Sequence, residues 1–214
     1  MPALFFLYVL PAAGRRLPAA GLRLSRDDGI VVVVVMEKLS LREYFQLPET
    51  LQPEELVYGT VVREPAMPAY GHQSVVTRLM VMLYRHVEEH GIGICVSPMD
   101  VVLDESAALV VQPDILVVTK ERLGIVRERV WGAPDLVVEV LSPRTARRDR
   151  TTKLGWYRQY GVRECWLVDY GLRSQAVEII DLQNVSVPRV FAGDEPMRSY
   201  VLPDWTTPAS HIFS

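Results

Sequence analysis

Apolar residues recur along the chain at two spacings, and the switches between them divide it into elements. Val75, Leu79, Met82, Leu83 and Val87 fall three and four apart, which predicts one buried stripe of a helix over 72–91, stopped by Gly91. Beyond Gly91 the pattern changes to short runs rich in valine, isoleucine and leucine. Those at 94–104, 110–119, 134–142, 164–170 and 175–183 read as strands. A second helix is predicted over 145–161, between the third and fourth of them, and ends at Gly161. Upstream, Ser40 and Glu43 form a capping box for a short helix that Pro48 closes. Residues 54–64 read as a strand pair or one long strand bent at Gly59, and 65–71 as a loop. This order predicts a mixed α/β fold, a central mixed sheet flanked by helices, with a turn-rich tail wrapping the surface after residue 190.

Residues 1–35 do not share this pattern. "MPALFFLYVLPAAGRR" has no Lys or Arg ahead of its apolar run, which falls short of the roughly 18 residues that span a bilayer; a weak secretory signal ending in "LPAAG" is the alternative. The valine run 31–35 is β-prone, and Met36 then opens "MEKLSLREYFQLP", which reads as a natural start. The expected organisation is an extension over 1–35, either a start artefact or poorly ordered, and one domain over 36–214 without a membrane span.

Composition narrows the chemistry. With 214 residues, 49% of them hydrophobic and 23% charged, the chain can bury one sizeable core. A formal net charge of −3 excludes a globally basic surface, so nucleic acid would have to meet a local patch. Cys95 and Cys165 both lie in apolar runs and read as buried, reduced thiols of a cytoplasmic protein, and no zinc-ligand spacing occurs. His86 and His90 are four apart but lack an HExxH context, and read as polar-face residues near a helix C-terminus.

Two acids interrupt apolar runs. In "APDLVVEVLSP" side chains alternate, so Asp135, Val137, Glu139 and Leu141 share one strand face. Glu139 either meets water on a solvated face or is buried, where an unpartnered carboxylate costs several kcal/mol. Asp114, after Pro113 in "VVQPDILVVT", poses the same problem 25 positions earlier. Converging in one cleft, Asp114 and Glu139 would make a hard oxygen site suited to Mg²⁺. Asp135 is a poorer partner, about 13 Å from Glu139 along one strand. After Glu139, Arg144, Arg147, Arg148, Arg150 and Lys153 accompany one acid, Asp149, a local charge of +4. They are either a solvated helix face, with an Asp149–Lys153 pair, or a phosphate-contacting rim.

"VVQPDILVV", "GAPDLVVEVLSPRTARRDRTTKLGWYRQYGVRECWLVD" and the upstream "LREYFQLPE", "EELVYG" and "HQSVVTRL" resemble the Uma2 family over roughly residues 39 to 205. That family is a group of restriction-endonuclease-like proteins in the PD-(D/E)XK nuclease superfamily. The resemblance implies a restriction-endonuclease-like core in which Asp114 and Glu139 hold Mg²⁺, with Mn²⁺ as a substitute, and Lys153 completes the catalytic set. The superfamily's usual lysine position is Leu141 here, and Lys153 on the following helix matches the Uma2 pattern. Glu55 matches a further family acid expected to help hold the metal; the next acidic position is Tyr58, which argues against a second ion. His72 opens the long helix as in relatives and is expected to cap it.

The activity so implied is metal-assisted hydrolysis of phosphodiester bonds in nucleic acid, DNA first, with Arg144, Arg147, Arg148 and Arg150 gripping the backbone. A nuclease-fold protein that binds DNA or a partner without cutting is the alternative, and a binding domain unrelated to nucleic acid is the third reading. A homodimer is a further expectation, with 175–183 as a strand able to pair.

Overall fold

The computed structural model describes residues 38–48, 50, 52–63, 70–171, 175–184 and 187–214. The expected extension 1–35, the proposed domain start at Met36 and most of the expected loop 65–71 lie outside the described residues.

Helix α1 (Leu41–Tyr44) carries the expected capping box: Ser40 Oγ accepts from Glu43 N–H, and Glu43 Oε2 accepts from Ser40 N–H at 2.9 Å. Strands β1 (Glu54–Val57) and β2 (Thr60–Arg63) form a hairpin, so 54–64 is a strand pair. Tyr58 and Gly59 both have positive φ, 49° and 84°, the backbone a two-residue turn needs to follow strand twist. Helix α2 (Tyr70–Glu89) follows, and Gly91 in left-handed conformation ends it.

The expected strand 94–104 is two strands, β3 (Gly93–Val96) and β4 (Val101–Asp104), and 110–119 likewise divides into β5 (Leu109–Val111) and β6 (Ile115–Thr119). Each pair belongs to two different sheets. Pro113 is the reason in the second case, since it cannot donate to a ladder, and the chain crosses from sheet to sheet around it. At this crossing side chains take backbone groups that lack strand partners: Glu55 accepts from Gln112 N–H at 3.1 Å, and Ser97 Oγ donates to Asp114 C=O at 2.5 Å.

Next come β7 (Val130–Trp131), β8 (Leu136–Leu141), α3 (Ala146–Arg148), α4 (Leu154–Tyr160), β9 (Glu164–Asp169), β10 (Ala176–Asp181), β11 (Arg189–Ala192) and α5 (Ser210–Phe213). Among the described residues the sheets run β2-β1-β5-β4-β7 and β11-β10-β9-β8-β6-β3. Both are mixed, with β8 and β9 parallel and joined through the α3–α4 crossover. The fold is thus the expected mixed α/β class, built on two sheets rather than one.

β8 is buried on both faces. Leu136, Val138 and Val140 pack with Val75, Val76, Leu79, Leu83 and Val87 of α2. Val137 and Leu141 pack on the other side with Trp156 and Tyr157 and with apolar residues of β4 and β5. The tail is part of the core rather than a surface wrap: Met197, Val201, Leu202, Trp205, Ala209 and Ile212 are buried in the α2 layer. His86 contacts Pro203 C=O through Nε2 at 2.8 Å and lies edge-on to Trp205, so this histidine ties helix to tail. β10 is paired on both sides, by β9 and β11, so the expected dimer contact along 175–183 has no open edge. Among the described residues no helix is long and apolar enough to cross a membrane.

Candidate active site

The register of β6 against β8 pairs Ile115 with Val138 and Leu116 with Val137, so the next step outward sets Asp114 opposite Glu139. Asp114 Oδ2 accepts from Val140 N–H at 2.7 Å and lies 3.5 Å from His72 Nε2. The two acids that interrupt separate apolar runs are therefore neighbours at the point where the chain crosses between sheets. Alternation along β8 turns Glu139 toward the α4 layer, and only 4% of its surface is exposed, which rules out the solvated face.

Lys153 meets Glu139 there. The expected helix 145–161 is interrupted: between α3 and α4, Asp149–Lys153 forms a π-helical turn, a device found often at functional sites. From its end Lys153, 2% exposed, places Nζ 2.6 Å from Glu139 Oε1, 3.2 Å from Glu55 Oε1 and 4.0 Å from Asp149 Oδ1. Tyr157, four residues on, donates its hydroxyl to Glu139 Oε1. Burial alone would lower the Lys153 pKa, but Glu139 and Glu55 outweigh it and raise the pKa well above the ordinary value, so the ammonium persists. Burial raises the pKa of Glu139 well above 4.5, with Asp149 and Asp114 adding to it and Lys153 opposing. Burial would likewise raise Glu55, but Lys153 and Arg148 prevail and hold it below its ordinary value.

Glu55, Glu139, Asp149 and Lys153 line one cavity of about 490 Å³, together with Asp114, His72, Ser142, Arg144 and Tyr170. Lys153 points into it rather than into bulk solvent. Glu55, expected beside a metal, is instead gripped by cations and a backbone donor: Arg148 Nη2 contacts Oε2, while Lys153 and Gln112 N–H share Oε1. Among the described residues no group of three or more His, Cys, Asp or Glu is arranged to hold a metal ion. The donor chemistry nevertheless fits a hard divalent ion held by two carboxylates, because Mg²⁺ is commonly bound by one or two and completes its shell with water and phosphate oxygens. Asp114 Oδ1 and Glu139 Oε2 take none of the contacts above.

The arginine cluster divides. Arg148 is committed to Glu55, and Arg150 to Glu178 of β10 at 2.6 Å, so neither is part of an open phosphate rim. Arg144 and Arg147 are exposed, and Arg144 borders the cavity. His72 does not act as the expected cap: α2 is already helical from Tyr70, and the ring faces Asp114. Asp135 lies at the opposite end of β8 and is structural, as its spacing from Glu139 required. Sequence reading missed Tyr157 and the Asp114–His72 contact. The first had a signal, because Lys153 and Tyr157 are four apart on one helix face; the second depends on a contact between distant segments.

A two-sheet α/β body with two acids and a lysine in one cleft belongs to a recognisable class. Its fold is shared with a crystal structure described as "a putative nuclease belonging to DUF820" from Anabaena variabilis, at a TM-score of 0.68 and 21% identity over 82% of this chain and 97% of that one. The family model of Uma2, described as "Putative restriction endonuclease", matches residues 41–210, and the chain belongs to that family. No curated protein matches it.

Proposed function

We propose that this protein is a divalent-metal-dependent nuclease that hydrolyses phosphodiester bonds of nucleic acid, with DNA as the first substrate to test. One observation carries the reading: Asp114, whose carboxylate accepts from Val140 N–H of β8, and Glu139 of β8 line one cavity, with the Lys153 ammonium 2.6 Å from Glu139. Asp114 and Glu139 would hold Mg²⁺, or Mn²⁺ in its place. That ion would polarise the scissile phosphate and lower the pKa of a water. The chain's own contribution is positional and electrostatic. Val140 N–H and His72 orient Asp114, and the apolar wall around Tyr157 keeps bulk water from Glu139. Lys153, kept charged by its acids, would orient the attacking water or neutralise charge developing on the phosphate. Arg144 at the cavity mouth would contact the backbone. The cytoplasm is the proposed compartment, which suits Cys95 and Cys165, both free and buried.

The test uses the full chain, supercoiled plasmid and Mg²⁺ or Mn²⁺. Nicking that disappears in Asp114→Ala and in Glu139→Ala supports the reading. Nicking unchanged in both overturns it, and binding without nicking under either metal supports the non-cutting alternative.

A further inference from the structure

Among the described residues, the mouth of this cavity offers few cations, and the ring of Tyr170 borders it. Arg148 and Arg150 point inward to acids and Lys153 is at the cavity floor; of the two exposed arginines of the cluster, Arg144 lines the cavity and Arg147 does not, in a chain of net charge −3. Proteins that grip duplex DNA neutralise many phosphates with Lys and Arg, more than the described residues of this rim supply. Tyr170, just past the end of β9, also lines the cavity. His72 meets its ring edge-on, with centroids 6.1 Å apart at 80°. The ring also lies against the first turn of α2, where a Cβ on Gly71 would come within 3.1 Å of Tyr170 Cε2. The missing side chain at Gly71 thus lets the ring settle in a set orientation at the opening. Tyr70, the adjoining residue, is 88% exposed. At about 490 Å³ the cavity has the scale that encloses one drug-sized ligand, which suits a splayed nucleotide and not a base-paired step.

We propose that the site takes a single strand, or a strand splayed from a duplex, and stacks the base beside the scissile phosphate on Tyr170, with Tyr70 as a neighbouring stacking surface. This inference rests on the nuclease reading of the same cavity. Base–aromatic stacking tolerates any base and adds about 1–3 kcal/mol per base to the phosphate contacts that a cation such as Arg144 makes. DNA and RNA strands share the recognised chemistry, a base face next to a phosphodiester.

The experiment is fluorescence anisotropy with the full chain in EDTA, which separates binding from cleavage, using labelled single-stranded DNA, single-stranded RNA and duplex DNA of about 16 nucleotides. Single strands are expected to bind at least about tenfold more tightly than duplex. Tyr170→Ala should lose about tenfold on single strands, and Tyr170→Phe should retain affinity. Tyr70→Ala, which removes a ring outside the core, should weaken single-strand binding by a smaller factor. The DNA and RNA arms tell which sugar is accepted. Duplex binding as tight as single-strand binding, or Tyr170→Ala binding unchanged, overturns the inference. If plasmid nicking still requires Asp114 and Glu139 in that case, the nuclease reading survives; no binding and no cleavage of any strand removes both.

Discussion

Two buried acids share one face along β8, Asp135 just before its start and Glu139 near its end, and the protein compensates them differently. Asp135 is fully buried, and its partners are fixed: Oδ2 accepts from Thr119 N–H at 2.8 Å, and Oδ1 meets Arg122 and Arg163, each at 3.3 Å. It locks the end of β6 and the start of β9 to β8. Among the described residues Glu139 has a single cationic partner, which it shares with Glu55 and Asp149, and it lines a cavity together with a second acid, Asp114. A buried carboxylate is thus no signature of function by itself. A carboxylate whose charge is under-compensated and adjoins open volume has the chemistry to take a ligand.

The sharpest way to break this contrast is to remove the shared cation. Lys153→Met leaves Glu139 buried without its cation, while Glu55 keeps Arg148 and Gln112 N–H, and breaking a buried pair this way costs about 3–5 kcal/mol. The cost should depend on pH in a definite sense. Burial already raises the Glu139 pKa above 4.5, and loss of Lys153 removes the group that opposes the shift. A raised folded-state pKa confers stability that is present below the unfolded value and lost as pH rises through the folded one. Urea unfolding of Lys153→Met should therefore fall furthest below wild type at pH 8 and recover toward it near pH 5. A gap that is independent of pH would mean that Glu139 is compensated by something other than Lys153.

At the other end of the strand the expected loss is smaller and carries no functional readout. Asp135→Ala orphans the buried Thr119 N–H, while Arg122 and Arg163, with 33% and 45% of their side chains exposed, can turn to water. The cost should be about 3 kcal/mol in urea or thermal unfolding. Glu139→Gln keeps an acceptor for Tyr157 and suits a site where burial favours the neutral form, so its stability should stay within about 1 kcal/mol of wild type. Equal losses in the two variants would remove the distinction between a structural and a poised carboxylate.

How far this was legible in the sequence follows from the range of each interaction. Period-two alternation put Glu139 on the face of Val137 and Leu141, and the i, i+3 pattern located α2, because both are local consequences of backbone geometry. Pairing Asp114 with Glu139 was readable because both acids sit beside apolar strand runs and share a burial problem. The division of 110–119 between two sheets was signalled by Pro113 but not its destination, which tertiary pairing decides. The π-helical turn at Asp149–Lys153 had no local marker, and a regular helix would have aimed Lys153 differently. The tail was misjudged because its turn residues dominate its composition, while Met197, Leu202 and Trp205, spaced irregularly, supply the buried contacts.

The smallest predicted effect separates arginines that neighbour one another in sequence. Arg150 is held by Glu178 at 2.6 Å and Arg148 by Glu55, whereas Arg144 lies exposed at the cavity mouth. A phosphate-contacting cation contributes close to one unit to the slope of log affinity against log salt, about 0.7 for a single strand. Arg144→Ala should therefore flatten the salt dependence of oligonucleotide binding by about that amount while leaving unfolding unchanged. Arg150→Ala should leave the slope as it is and instead lose a modest amount of stability, under about 1 kcal/mol given that about a third of its side chain is exposed. The two variants make the same change of charge, so any difference in slope reports where each cation points. A flatter slope in Arg150→Ala than in Arg144→Ala would show that the inward pairs open when nucleic acid arrives, and that the basic run 144–153 works as one rim after all.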